Sequence, residues 1–174
     1  MQATPIHFQS LPDYIKPDLD ILIVGINPGL YSARTGHYYA RPTNRFWKAV
    51  CRSGLIPIGL GPQQDGRALE FGIGLTDVVK RPTAGVHQLT PHEFRRGTAR
   101  LNRLILKYRP RIVCFNGMAG HLAMFGRATR PGLQSERVGQ SRIFVIPSTS
   151  PRNAAYPFSE IVRYLRILKK IRDL

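Results

Sequence analysis

Asn27 lies at the end of an apolar run, Ile21, Leu22, Ile23 and Val24, in the turn Gly25-Ile26-Asn27-Pro28-Gly29. An amide in such a turn can orient a water molecule through its oxygen, but it cannot ionise and so cannot be a strong general base. The two glycines permit close backbone approach, while Pro28 fixes φ and removes a donor. Tyr31, Tyr38 and Tyr39 follow, with Arg34 and Arg41 among them, so flat stacking surfaces stand beside cations. Far along the chain, a second apolar run, Ile143 to Ile146, ends in Pro147-Ser148-Thr149-Ser150-Pro151-Arg152. Asp77 adds a carboxylate near the end of a third extended stretch, with two readings: it faces a pocket, or it caps a neighbouring loop. Singly, Asn-Pro-Gly is a common turn and a tyrosine a common packing residue.

The elements that must position these residues follow from periodicity. Runs at 20–25, 111–115 and 143–146 are apolar and too short for helices, which suits strands buried on both faces. Ile73 to Val79 reads as a shorter extended segment. A helix starts near Asn44 and buries Phe46, Trp47, Val50 and Cys51, with Gly54 as its stop. Residues 63–71 suggest a short helix closed by Gly72. Thr90, Pro91 and Glu93 have the pattern of a capping box with a first-turn proline, opening a helix that buries Phe94, Leu101, Leu104, Ile105 and Tyr108. Asn116-Gly117 opens a short helix to about Phe125, and residues 126–141 read as an exposed excursion. The last helix buries Phe158, Ile161, Val162, Leu165 and Leu168. Strands alternating with amphipathic helices imply the α/β class, with a mostly parallel sheet covered on both faces. One domain over 1–174 is expected, with 1–19 as an irregular lead-in carrying Pro5, Pro12 and Pro17.

Lysine and arginine number 26 against 10 aspartate and glutamate, a formal net charge of +16. So basic a chain points to a polyanionic partner, through phosphate attraction and counterion release. No apolar run approaches the ~18 residues of a membrane helix, and the N-terminus lacks a signal-peptide plan, so a soluble, cytoplasmic protein is expected. Cys51 and Cys114 are too few for a four-cysteine cluster or a cysteine-rich zinc site, and are expected to be reduced, buried thiols. His7, His37, His87, His92 and His121 show no pair at metal-ligand spacing, so no metal and no cofactor are expected. No G-x-x-x-x-G-K-[ST] loop or G-x-G-x-x-G is present, which argues against a nucleotide-handling hydrolase or transferase.

The stretches GINPG (25–29), GHYYARPTNRFW (36–47) and PSTSPR (147–152), with GLTDVVKRPT (74–83), resemble the mismatch-specific uracil-DNA glycosylase and thymine-DNA glycosylase family. The resemblance runs from about residue 18 to the C-terminus. It implies a three-layer α/β/α fold with a central, mostly parallel sheet, and excision of uracil, or thymine in some members, opposite guanine. Asn27 would position the attacking water, and Tyr39 would stack on the flipped base. Ile26 would contact that base through its backbone, with Gly29, Ser32 and Ser148 beside it. Ser148, Thr149, Ser150, Pro151, Arg152 and Asn153 would form the loop that enters the helix, with Arg152 at its intercalating end. The expected partner is double-stranded DNA with a mismatched or damaged base, met by a monomer that resembles a bare prokaryotic catalytic core. The chain departs from the family at two points. IPSTSPR is nearer the thymine-glycosylase form and lacks the histidine of other uracil-DNA glycosylases, and Asp77 stands where the familiar bacterial form has lysine. Asp77 is therefore a second catalytic candidate. A binding module that has lost excision is the alternative, against which the intact Asn27 argues.

Overall fold

The computed structural model describes residues 8–57 and 59–174, so the first part of the lead-in, with Pro5 and His7, lies outside the described residues. Strands β1 (Ile21–Gly25), β2 (Ile73–Asp77), β3 (Ile112–Asn116), β4 (Gly132–Val138) and β5 (Ser141–Ile146) form one sheet. Its order is β2-β1-β3-β5-β4, parallel throughout except where β4 runs antiparallel to β5. The apolar run of β1 is continuous because both faces are covered. Ile21 and Ile23 enter one cluster with Trp47, Val50 and Leu165, while Leu22 and Val24 enter another with Leu101 and Ile105. Helices α2 (Phe46–Ser53) and α5 (Phe158–Arg172) thus cover one face. Helix α3 (Pro91–Tyr108) covers the other, beside α4 (Met118–Phe125). This is the sheet covered on both faces that the periodicity implies, and the three-layer α/β/α arrangement that the resemblance implies.

Four local expectations need correction. The loop after β1 contains a helix, α1 (Leu30–Thr35), closed by Gly36 at φ 78° with its N–H donated to the Ser32 carbonyl. Six residues are too few to show a helical period. The excursion after α4 holds β4, whose side chains alternate between partly exposed and exposed. An edge strand wet on both sides lacks the apolar alternation that reveals a strand in sequence. Phe158 opens α5 and is 38% exposed, one turn ahead of the residues that dock. Cys51 is only partly buried, whereas Cys114 is buried as expected.

The segment 63–71 is a 3-10 helix, Pro62–Phe71. The capping box of α3 is complete: Glu93 N–H donates to Thr90 Oγ1 at 3.2 Å and Thr90 N–H donates to the Glu93 carboxylate at 2.8 Å. Gly97 lies inside α3, where helix propensity alone would favour alanine by about 1 kcal/mol. Here a Cβ would collide with the backbone carbonyl of Val78, the residue that follows β2. Gly97→Ala is therefore expected to destabilise by ~1–3 kcal/mol, as overpacking does, measured by urea unfolding. A stabilised variant would show that α3 does not seat that closely on β2.

Candidate active site

The chain order turns one way from β1 to β2 and the other way to β3, so the carboxyl ends of β1 and β3 flank the switch point where open α/β sheets take ligands. A cavity of about 410 Å³ opens there. β1 supplies Gly25 and the turn to Gly29, β2 supplies Asp77, β3 supplies Asn116, and the segment after β5 supplies Ser148 to Arg152. Ser32 and Tyr39 line it too. Tyr31, Tyr38 and Arg41 are also among its walls, whereas Arg34, Pro147 and Asn153 are not.

Asn27 is oriented by its nitrogen. Nδ2 donates to the Arg81 carbonyl at 2.9 Å and to Thr83 Oγ1 at 2.7 Å, and Thr83 Oγ1 in turn donates to the Gly85 carbonyl at 3.0 Å. A carbonyl can only accept, so these contacts fix which end of the amide is nitrogen and leave Oδ1 as the acceptor free for a water. The Pro28 carbonyl accepts from Thr83 N–H at 3.1 Å, and Val79 N–H donates to the Ile26 carbonyl at 2.8 Å. The turn after β1 and the segment after β2 are therefore stitched together. Thr83 is a positioning residue that periodicity could not reveal, because its partner lies on another strand's loop.

Asp77 is 3% exposed and, among the described residues, its Oδ2 has no hydrogen-bond partner. It pairs in register with Gly25, where a Cβ would collide with Asp77 Oδ1 and come within 3.1 Å of the Tyr39 hydroxyl. Tyr39 holds a left-handed backbone, φ 53°, and its ring stacks on Phe46 at 4.1 Å between centroids. Among the described residues its buried hydroxyl has no hydrogen-bond partner of good geometry, and burial together with the Asp77 charge pushes its ionisation upward, against the nearby Asn116 side chain. Desolvation raises the Asp77 carboxyl to about 7, with Lys80 and Arg100 opposing and Asp13 adding to the rise. Behind it, Asp13 bridges Lys80 at 2.8 Å and Arg100 at 2.7 Å, and Arg100 Nη2 donates to the Asp77 carbonyl at 2.5 Å. Burial works against the Asp13 carboxylate, but hydrogen bonds from Lys80 and Thr76 and the two cations hold it below the usual range.

The tyrosine loop and the segment after β5 are each braced from within. Ser32 Oγ accepts from Ala40 N–H at 3.1 Å, and the buried Asp65 accepts from Tyr38 N–H at 2.8 Å and from Tyr14 Oη at 3.2 Å. Thr149 is fully buried, exchanging hydrogen bonds with the Asn116 side chain at 2.9 and 3.0 Å. Its hydroxyl and N–H are committed to the loop, on the wall of the cavity. Asn153 donates to the Ser148 carbonyl at 2.9 Å, again within the loop. Ser148 and Ser150 are partly buried, whereas Pro151 and Arg152 are exposed. Arg152 reaches over to the Ala84 carbonyl at 3.2 Å, past Gly85, which has no side chain to block it. Asn116 and Asp65 were missed in sequence because neither belongs to a motif. Among the described residues, no three His, Cys, Asp or Glu side chains converge as a metal site, and no helix is long and apolar enough to cross a membrane.

Fold and cavity together define an α/β protein with a cavity at the carboxyl ends of its strands, between flat aromatic and polar walls. A sequence profile of the Uracil DNA glycosylase superfamily matches residues 12–169, and the chain belongs to that superfamily. Its fold is similar to the solution NMR structure of a Methanosarcina acetivorans protein provisionally named a uracil DNA glycosylase. The two share 24% identity over 93% of this chain and 98% of the other, with a TM-score of 0.57.

The Asp77 environment has a consequence for stability. Its folded value of about 7 lies above the 3.8 of a free carboxyl. Between those pH values the folded protein keeps a proton that the unfolded chain has released, so stability falls as pH rises through that window and levels off above it. The full difference corresponds to an upper bound of about 4 kcal/mol. Asp77→Asn is expected to be more stable than the wild type at pH 8, with the advantage shrinking towards pH 4, read from urea midpoints. A pH-independent difference would mean that Asp77 is not a buried carboxyl of this kind.

Proposed function

We propose that this protein hydrolyses the N-glycosidic bond of uracil in double-stranded DNA, best at a G·U mismatch, leaving an abasic site. It would act as a single glycosylase domain of the mismatch-specific and thymine-type branch. The observation that carries this reading is the Asn27 amide, held by its nitrogen so that its oxygen is free in a cavity with a buried carboxyl at its floor. A base inside a duplex is out of reach of such a cavity, so the nucleotide must rotate out. The free face of Tyr39, opposite Phe46, stacks on the extruded base, with Ile26, Gly29, Ser32 and Ser148 around it. Ser150, Pro151 and Arg152 fill the gap in the helix.

In the bond-breaking step the C1′–N1 electron pair leaves with the base and positive charge develops on the sugar. Water held by Asn27 adds to C1′ and its proton passes to the Asp77 carboxylate, the one carboxylate among the described residues that line the cavity. The first-turn N–H groups of α1 at Leu30 and Tyr31 have no acceptor inside their helix and can stabilise the departing base. The Asp77 carboxylate would also stabilise the cationic sugar, which an amide cannot.

Labelled duplexes with G·U, A·U or G·T pairs, followed by alkaline cleavage, test the activity. Uracil release from G·U without added metal is expected, and intact oligonucleotide after hours at enzyme excess would overturn the reading. Single-turnover rates divide the roles. Asn27→Ala is expected to lose at least ~2 kcal/mol of transition-state stabilisation, as for one preorganised polar contact. The wild-type rate should rise as pH passes about 7, where Asp77 gives up its proton, and Asp77→Asn should be slow and flat. Arg100→Met removes a cation that favours the carboxylate, so the rising limb should move to higher pH. Wild-type rates for Asp77→Asn at every pH would leave Asp77 a structural residue.

A further inference from the structure

Arg45 carries a cation that the chemistry above does not use. It stands at the N-terminal boundary of α2, half-buried, six positions beyond Tyr39. Among the described residues no carboxylate pairs with it. Its guanidinium instead donates to backbone carbonyls of the segment after β5: Tyr156 at 2.9 Å, Ser150 at 2.8 Å, Asn153 at 2.9 Å, Ser148 at 3.3 Å and Thr149 at 3.4 Å. Its own N–H donates to Thr149 as well, at 3.1 Å.

Carbonyls gathered around one point repel each other unless a donor sits among them. A guanidinium offers five N–H donors in a fixed plane and stays charged at any working pH, whereas an ammonium offers three from a single atom. A carbonyl cage leaves the charge of Arg45 uncancelled by any anion, so it still contributes to the field that phosphates meet.

We propose that Arg45 is the positioning residue of the duplex-reading loop, holding residues 148–156 in the one shape that presents Pro151 and Arg152, and coupling that loop to the Tyr39 segment through a single stretch of chain. The assignment rests on the reading of this loop as the one that fills the helix. The base pocket and the wedge would then be set by one rigid piece, with Tyr39 at one end and Arg45 at the other.

The test separates loop order from catalysis. In Arg45→Lys, which keeps the charge and loses the fork, amide hydrogen exchange at Ser150, Arg152 and Asn153 should quicken by about tenfold or more, as for loss of local protection, while α3 amides do not change. No substrate is present, so this measurement stands or falls apart from the glycosylase reading, and unchanged exchange overturns the proposal. On uracil substrates, Arg45→Lys should lose more on the G·U duplex than on single-stranded DNA. Its loss of duplex preference should be non-additive with that of Arg152→Ala, because one acts through the other. Equal losses on both substrates, or additive losses, would overturn it. Should Arg45→Lys not fold, nitrogen NMR of the wild type decides. Distinct, slowly exchanging Nη signals for Arg45 are expected, and one averaged signal would mean that the cage does not hold.

Discussion

The site depends on an absence, the missing side chain at Gly25. The parallel register of β1 and β2 sets Gly25 beside Asp77, and in the space a Cβ would take stand a carboxylate oxygen and, close by, the Tyr39 hydroxyl. Any other residue at that strand end would push the acid away or break the pairing. Register is specified strongly here, because a slip of one residue would turn Leu22 and Val24 from one apolar layer into the other. The packing of the sheet therefore sets the position of the carboxyl, with no need for a dedicated hydrogen bond to aim it.

Loops beyond the strand ends cannot rely on apolar packing, and this chain fixes them with side-chain donors aimed at backbone carbonyls. Asn27 holds the segment after β2 through Arg81, and Arg45 holds the segment after β5 through five carbonyls. Both tethers begin in the stretch between β1 and α2 and end on another strand's loop. The cavity walls are thereby drawn together from sequence positions far apart, and the order of the walls is carried by polar contacts of good geometry in a partly buried setting, where they are worth more than in water. The net charge of +16 lies mostly on the exterior, while the acids nearest the cavity, Asp13, Asp65 and Asp77, are turned inward.

What was legible in the sequence follows from this division. β1, β3, β5, α3 and α5 announced themselves because their apolar spacing reports burial directly. Gly25, Asn27 and Tyr39 could be singled out because turn residues and aromatics cluster at one strand end. α1 was hidden by its length and β4 by its exposure on both sides. Within a motif, composition does not say which side chains point inward: the Thr149 hydroxyl is committed to Asn116. Thr83, Arg45, Asn116 and Asp65 act only through partners distant in the chain, and no local pattern carries that information.

At Asp77, sheet register, burial and charge act on one carboxyl. A carboxyl with an unpartnered oxygen, buried at a strand end, lowers stability at neutral pH, and an asparagine of nearly the same size would remove that cost. The surroundings relieve that cost only in part, through the opposing charges of Lys80 and Arg100. Asp13 lies close enough to raise the carboxyl further, and Lys80 and Arg100, which could have neutralised Asp77 outright, are engaged by Asp13. Arg100 meets Asp77 at its backbone carbonyl. The arrangement leaves the carboxyl poised near neutrality, close to the pH at which a group can both hold and release a proton. Structural aspartates are ordinarily capped or paired. An acid held uncapped at the floor of a cavity, facing an unpartnered tyrosine hydroxyl and sharing that cavity with an amide whose oxygen is free, has an environment suited to chemistry at the cost of folding free energy.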